Sequence, residues 1–200
     1  MRLLLGTRNS GKVKEIETIL EDSGWTFSSL REFDEVGPAA EDGVTYAENA
    51  IAKARFYAAE TGLLALADDS GLEVAALGGA PGVHSARYAG DNASDADRRQ
   101  LLLAELARVD SGDRRARFVA AVAIADPNGG VLNLSEGICE GRITFEPRGT
   151  SGFGYDPLFI PDGYDQTFAE LPDKVKNFIS HRARALMRLR DSLDHLDPPS

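Results

Sequence analysis

The sequence predicts an α/β protein in which a mixed, twisted sheet is flanked by helices. Short apolar runs at residues 2–6 and 64–72 have the length of buried strands, and the first precedes apolar residues at helical spacing. Residues 117–125 and 131–134 are rich in apolar side chains and are joined by Asp-Pro-Asn-Gly-Gly, which predicts a hairpin. Antiparallel neighbours of this kind make the sheet mixed rather than purely parallel.

Composition limits the class of protein. The chain has 200 residues, 42% of them hydrophobic, which suits a single domain of two lobes. Its net charge of -10 argues against nucleic acid or an anionic membrane as a partner, since both require a basic face. The single Cys139 cannot form an internal disulfide, and the opening apolar run is too short for a signal sequence or span. We therefore expect a cytoplasmic protein.

The first strand leads into a polar turn and then a helix with Val13, Ile16, Ile19 and Leu20 on one face. The turn consists of Thr7, Arg8, Asn9, Ser10, Gly11 and Lys12. Backbone N–H groups at a helix start, together with a lysine, favour phosphate binding. Asn9 or Ser10 also suits the N-cap, so part of the turn's composition has a purely structural explanation.

The same turn resembles a P-loop, because Gly6 and Gly11-Lys12 have the G-x-x-x-x-G-K spacing. The next residue is Val13, where a P-loop has a hydroxyl that ligates magnesium. A kinase or ATPase is therefore an alternative with one residue against it.

A second strand is expected at residues 26–30, followed by a polar loop that ends near Glu41. Thr45 and Glu48 then form a capping box at the start of a helix with an apolar stripe. A carboxylate just before a helix is favoured electrostatically without any chemical task. Lys53 lies at the edge of that stripe, where most lysines are solvated.

The buried strand expected within residues 64–72 ends, by this interpretation, at Asp68 and Asp69. Ligands bind at strand ends in α/β folds, and paired carboxylates are the oxygen ligands that magnesium prefers. One of them could take a proton from water, and Asp69 is the better candidate because it faces the expected turn into Ser70. The alternative is an ordinary turn of Asp, Ser and Gly.

The remaining segments add a second group of candidates. A glycine-rich loop at residues 78–82 precedes a helix that begins at Ser94, and a further strand is expected at residues 136–145. Glycines on both sides of Phe153 leave its ring free to stack on a base, although a buried aromatic in a tight turn is the simpler explanation. Near the C-terminus, Lys176, His181 and Arg182 bring donors to the start of a last helix, whose inward face is predicted to be Leu186, Leu189, Leu193 and Leu196.

Taken together, these motifs resemble the inosine triphosphate pyrophosphatase (RdgB-like) family of non-standard purine nucleoside triphosphate hydrolases. The matching segments span nearly the whole chain in the family's order: residues 7–12, 48–50, 53–54, 67–72, 78–82, 85–88, 152–157, 176–177 and 180–182. Arg8 replaces a glycine of the family's first motif, and His84 stands where the family often has tyrosine.

The resemblance implies a two-lobed α/β subunit with the active cleft between the lobes, acting as a homodimer. Its reaction would be magnesium-dependent hydrolysis of ITP, dITP and XTP to the monophosphate and pyrophosphate. By position, Thr7, Arg8, Asn9, Ser10, Gly11, Lys12 and Lys53 would hold the phosphates, Glu41 and Asp69 would bind Mg²⁺, and Asp69 would be the base. Contacts to the nucleoside would come from Ser70, Phe153, Gly154, Tyr155, Asp156, Lys176, His181 and Arg182.

Selection of the purine follows from hydrogen-bonding chemistry. Hypoxanthine and xanthine carry an oxygen at C6 where adenine carries an amine, so donors from His181 and Arg182 would favour the oxygen. Two further alternatives stay open. A nucleotide sensor would bind the same ligands and leave them intact, whereas Asp69-Ser70-Gly71 matches the aspartic protease motif in a single copy only.

Overall fold

The computed structural model describes residues 2–193, which contain six strands and five α-helices. The strands are β1 (Arg2–Leu5), β2 (Thr26–Ser29), β3 (Leu64–Val74), β4 (Arg115–Ala125), β5 (Val131–Ile143) and β6 (Phe159–Pro161). The helices are α1 (Ser10–Ile19), α2 (Tyr46–Thr61), α3 (Asp95–Leu106), α4 (Asp173–Ile179) and α5 (His181–Leu193). Within residues 2–193, no helix has the length and apolar character needed to cross a membrane.

The strands form one sheet in the order β2-β1-β3-β4-β5-β6. Strand β1 pairs in parallel with β2 on one side and with β3 on the other, with Leu3 opposite Phe27 and Leu64. At the other edge β5 pairs antiparallel with β6. Both pairing directions therefore occur, which confirms the predicted α/β fold with a mixed sheet.

The chain divides into two compact units. Unit 1 comprises the described residues up to Asp69, Ala120–Gly137 and the described residues from His181 onward; unit 2 comprises Ser70–Val119 and Ile138–Ser180. Each unit has its own apolar core. The core of unit 1 includes Leu3, Leu66, Val122, Leu186 and Leu189, and that of unit 2 includes Leu72, Leu102, Phe118, Phe159 and Phe168. The single-domain organisation with a cleft between lobes stays a prediction.

Local sequence signals fix the helix starts. The Thr45 side chain accepts from the N–H of Glu48, whose carboxylate accepts from the N–H of Thr45, and Ser94 and Asp97 repeat this box at α3. Asn9 caps α1 by accepting from the N–H of Lys12. The predicted capping residues are thus confirmed.

Two expectations were wrong. Strand β3 does not end on its acidic pair but continues through Asp68, Asp69 and Ser70 to Val74, because side chains from elsewhere satisfy both carboxylates. The two strands expected at residues 131–134 and 136–145 are one strand, β5. The segment before the last helix, to which the sequence analysis assigned no secondary structure, contains α4. Leu186, Leu189 and Leu193 are buried as predicted, while Leu196 lies outside the described residues.

Candidate active site

Asp68 and Asp69 are consecutive residues of β3, so their side chains point to opposite faces of the strand. Both are buried, with 2% and 7% of their surface exposed. Because a buried carboxylate requires compensating charge or hydrogen bonds, the partners of each acid define its role. The side chains in direct contact with the two acids are different.

Asp68 is held by two cations. Arg182 donates to its Oδ2 from Nε at 3.0 Å and from Nη2 at 2.9 Å, and Lys12 Nζ lies 3.1 Å from its Oδ1. Arg182 also pairs with Glu15 through Nη1, and the guanidinium is fully buried. Burial opposes ionisation of Asp68, but Arg182 and Lys12 outweigh it and hold the pKa of Asp68 well below its ordinary value. Asp68 is therefore a fixed negative charge.

Lys12 extends from the first turn of α1, which begins directly after the capping residue Asn9. Burial lowers the pKa of Lys12, and Asp68 only partly offsets this effect. The turn between β1 and α1 thus brings Lys12 next to Asp68 of the acidic pair. Arg8 in the same turn donates to the carbonyl of Val36 at 2.6 Å, and Thr7 accepts from the N–H of Asn9 at 3.2 Å.

Asp69 is held by α2. Lys53 Nζ lies 2.8 Å from its Oδ1, and Asn49 donates to its Oδ2 at 3.1 Å. Burial raises the pKa of Asp69 above the ordinary value of 3.8, although Lys53 and Asn49 oppose that shift. A raised pKa in a site next to fixed cations is a common property of catalytic carboxylates. Asp69 and Asp68 therefore differ in the direction of their pKa shifts.

Lys53 is buried, contrary to the expectation of a solvated lysine, because it bridges two carboxylates. Its Nζ lies 2.8 Å from Asp69 Oδ1 and 2.9 Å from Glu41 Oε1. Burial lowers the pKa of Lys53, but Asp69, Asp68 and Glu41 together raise it above 10.5. The Lys53 ammonium thus links the loop before α2 to strand β3.

Glu41 and Asp69 fit a magnesium site in which the protein would supply only a few of the ligands. Their oxygens lie within two hydrogen-bond lengths of each other around Lys53, and the side chain of Glu41 is 37% exposed. Magnesium is usually bound by one or two carboxylates together with water and substrate phosphate oxygens, which matches this pair. Among residues 2–193, no cluster of three or more His, Cys, Asp or Glu side chains could hold a metal ion, so the protein alone offers no closed cage.

Unit 2 contains a second group of predicted residues, built around Asp156. Its Oδ2 accepts from the N–H of Phe153 at 2.9 Å and from Lys176 Nζ at 2.5 Å. The Lys176 ammonium lies 4.9 Å from the centroid of the Phe153 ring, within cation–π range. Asp156 thereby fixes the backbone of Phe153, and Lys176 fixes the ring.

Side chains from α3 and its neighbourhood hold the rest of this loop. The N–H of Gly154 donates to Asp95, and its carbonyl accepts from Arg99, both at 2.7 Å. The hydroxyl of Tyr155 donates to the carbonyl of Ser85 at 3.0 Å. Arg99 is therefore a structural partner of the predicted base platform.

The predicted residues are divided between the two units. The group in unit 1 contains Thr7, Arg8, Asn9, Ser10, Gly11, Lys12, Glu41, Lys53, Asp69, His181 and Arg182. Unit 2 contains Ser70, Phe153, Gly154, Tyr155, Asp156 and Lys176. Sequence reasoning missed Glu15, Asn49 and Asp95, whose partners are far away in sequence; only the motif around Asn49 gave any signal.

All of the comparisons with known proteins point to the same family. The model of the Ham1 family matches residues 3–192. A dITP/XTP pyrophosphatase from Desulforamulus reducens is 50% identical over 196 residues, covering 98% of this chain and 97% of the relative. A second, from Geobacter sulfurreducens, is 50% identical over 96% of each chain.

Solved structures agree in fold. A HAM1 protein from Coxiella burnetii superposes with a TM-score of 0.88 at 45% identity, covering 98% of this chain and all of the other. The Ham1 protein of Staphylococcus aureus gives a TM-score of 0.84 at 36% identity, covering 98% and 99% of the two chains.

Proposed function

The chain belongs to the Ham1 family, and from this premise we propose that it hydrolyses non-standard purine nucleoside triphosphates such as dITP, XTP and ITP. The products are the nucleoside monophosphate and pyrophosphate. Relatives that match over nearly their full length are dITP/XTP pyrophosphatases. The observation in the molecule that carries the proposal is Asp69, a buried carboxylate with a raised pKa held between Lys53 and Asn49.

The triphosphate would be held by the turn between β1 and α1 together with Lys53. Backbone N–H groups at the start of α1 attract anions, and Lys12 adds a full charge beside them. Hydrolysis between the α and β phosphates leaves a pyrophosphate whose charge must be neutralised as it departs. Lys12 and Lys53, which lie on the two acids of β3, are placed to supply that charge.

Glu41 and Asp69 would bind magnesium, which neutralises phosphate charge and lowers the pKa of bound water. Asp69 would accept the proton of the water that attacks the α phosphorus. Asp68 is unsuited to this task, because Arg182 and Lys12 hold its pKa low and occupy its oxygens. The two neighbouring acids would therefore have different roles: Asp69 would be the base, and Asp68 would hold Arg182 and Lys12.

The nucleoside would be recognised by Phe153, Gly154, Tyr155, Asp156 and Lys176, with Ser70, His181 and Arg182. A ring fixed by Lys176 and Asp156 is a rigid stacking surface, which lowers the entropic cost of binding a base. Donors facing the C6 oxygen would be left unpaired by adenine, which permits discrimination on the order of ten-thousandfold. Because the Arg182 guanidinium is buried against Asp68 and Glu15, we assign the donors to His181 and local backbone N–H groups, and Arg182 the role of holding Asp68.

The P-loop alternative is not favoured. Val13 packs against the apolar core of unit 1, so the position that requires a metal-binding hydroxyl carries a core side chain. A nucleotide sensor would need no base, and the relatives that match over nearly their full length are pyrophosphatases.

The test is incubation of the protein with magnesium and a panel of purine triphosphates, with separation of the products by ion-exchange chromatography. We expect dITP and XTP to give monophosphate and pyrophosphate much faster than dATP. Diphosphate with inorganic phosphate would indicate a different NTPase, and intact nucleotide after tight binding would indicate a sensor.

We further propose that the protein acts in the cytoplasm as a homodimer, as its family resemblance implies. Light scattering after size-exclusion chromatography measures the mass directly. A mass of twice 21.5 kDa is the expected result.

A further inference from the structure

Asn49 is a buried residue of α2 to which the sequence assigned no role. It lies four residues before Lys53, so the two side chains project from the same face of the helix, one turn apart. Each contacts a different oxygen of Asp69: Asn49 donates to Oδ2 at 3.1 Å, and Lys53 lies 2.8 Å from Oδ1. One helix face therefore fixes both oxygens of the candidate base.

The same two side chains also reach the segment that carries Glu41. Lys53 Nζ lies 2.9 Å from Glu41 Oε1, and the backbone N–H of Gly43 donates to Asn49 Oδ1 at 2.8 Å. A Cβ at residue 43 would lie 2.7 Å from Asn49 Oδ1, so this close approach requires glycine. The contacts form a closed ring that runs from Glu41 through Lys53, Asp69, Asn49 and Gly43 back to Glu41.

The chemistry of the ring requires an amide at residue 49. Because Asn49 Oδ1 accepts from Gly43, its NH₂ group must face Asp69, and a flipped amide would break both hydrogen bonds. Neither an apolar side chain nor a carboxylate can accept on one side and donate on the other. The capping box at Thr45 and Glu48 then holds the intervening chain, since Glu48 accepts from the N–H groups of Val44 and Thr45.

We propose that Asn49 is a positioning residue that sets the separation of Glu41 and Asp69 for a divalent cation. The inference rests on the proposed function for the identity of the two metal-binding carboxylates. Hydrogen-bond partners behind the metal ligands orient them, and their loss typically costs about 10- to 100-fold in metal affinity or activity. Asn49 reaches the ligand Asp69 directly and the ligand Glu41 through the backbone of Gly43.

The test compares Asn49→Ala and Gly43→Ala with the control Ala58→Gly, in the same helix but outside the ring. Asn49→Ala removes both hydrogen bonds, whereas Gly43→Ala keeps the asparagine and displaces it. Ala58→Gly weakens the helix without touching the ring. Binding of Mn²⁺ to the nucleotide-free protein is measured from the electron paramagnetic resonance signal of free Mn²⁺, alongside thermal unfolding.

We expect the apparent Kd for Mn²⁺ to rise about 10- to 100-fold in both ring variants, and kcat for dITP to fall with a smaller change in KM. Ala58→Gly should unfold at a lower temperature with unchanged Mn²⁺ binding. Unchanged Mn²⁺ affinity in the folded ring variants would overturn the proposal, as would an unmodified protein that does not bind Mn²⁺. Should the unmodified protein bind Mn²⁺ but release no pyrophosphate, the proposed function fails while the metal titrations still decide the role of Asn49.

Discussion

Arg182 donates two hydrogen bonds to a single oxygen of Asp68, from Nε at 3.0 Å and from Nη2 at 2.9 Å. The pair joins the first turn of α5 to the middle of β3, and its two residues are 114 positions apart in the sequence. Both side chains are almost completely buried, so neither charge can return to water without partial unfolding. This pair makes Asp68 a structural charge, whereas the neighbouring Asp69 is held by different side chains, Lys53 and Asn49.

The first prediction concerns Asp69. Asp69→Asn should retain the fold and nucleotide binding, because an amide keeps the shape of the carboxylate, but kcat should fall about 10²- to 10⁴-fold with the loss of the general base. Release of pyrophosphate from dITP measures kcat, and the melting temperature reports on the fold. Turnover close to that of the unmodified protein would remove Asp69 from the role of base.

Asp68→Asn should act on stability. Removing one partner of a buried ion pair costs on the order of 3 kcal/mol, because Arg182 and Lys12 lose a compensating charge. The pKa of Asp68 in the folded protein lies below its ordinary value of 3.8, so the contribution of its charge is present above that pH and declines below it. The difference in the free energy of unfolding between the two proteins should therefore be largest near neutral pH and should narrow below about pH 4.

Urea denaturation at a series of pH values measures that difference. If the difference in the free energy of unfolding stays constant between neutral and acid pH, the stabilisation by Asp68 does not come from its charge.

Lys12→Ala should mainly weaken binding of the triphosphate. The loss of one phosphate contact is expected to raise KM for dITP about tenfold, with a smaller effect on kcat. Some stability should also be lost, because Lys12 pairs with buried Asp68. Lys14→Ala is the matched control, since Lys14 is an exposed residue of the same helix. Equal KM values for the two variants would argue against a phosphate-binding turn.

Phe153→Ala should raise KM for every purine triphosphate that the protein accepts. Stacking of a base on an aromatic ring contributes about 1–3 kcal/mol, which corresponds to an increase in KM of roughly 5- to 150-fold. Phe153→Tyr retains the ring and should restore most of the affinity. If the alanine variant kept the KM of the unmodified protein, Phe153 would be a buried turn residue without a contact to the base.

Signals between neighbouring residues allowed much of the fold to be predicted. The capping boxes at α2 and α3, the cap at Asn9 and the turn between β4 and β5 each depend on residues within five positions of one another. Proximity of Lys12 to the acidic pair was implied by the family resemblance, which places Lys12 and Asp69 in one active site. The caps and the turn required no knowledge of the distant chain.

What the sequence did not reveal depends on distant pairing. Strand β3 continues through two acids because Arg182, Lys12, Lys53 and Asn49 pair with them. No local sequence pattern predicts those partners. Burial of Lys53 was missed for the same reason, since its position on α2 suits solvent unless two carboxylates are brought to it. The functions of Asn49, Asp95 and Arg99 became visible only from their contacts.

The central claim is that a water molecule, deprotonated by Asp69, attacks the α phosphorus of a purine triphosphate. Hydrolysis of dITP in ¹⁸O-labelled water, followed by mass spectrometry of both products, tests it most directly. The claim predicts one ¹⁸O atom in the monophosphate and none in the pyrophosphate. Label in the pyrophosphate, or release of inorganic phosphate in its place, would contradict it.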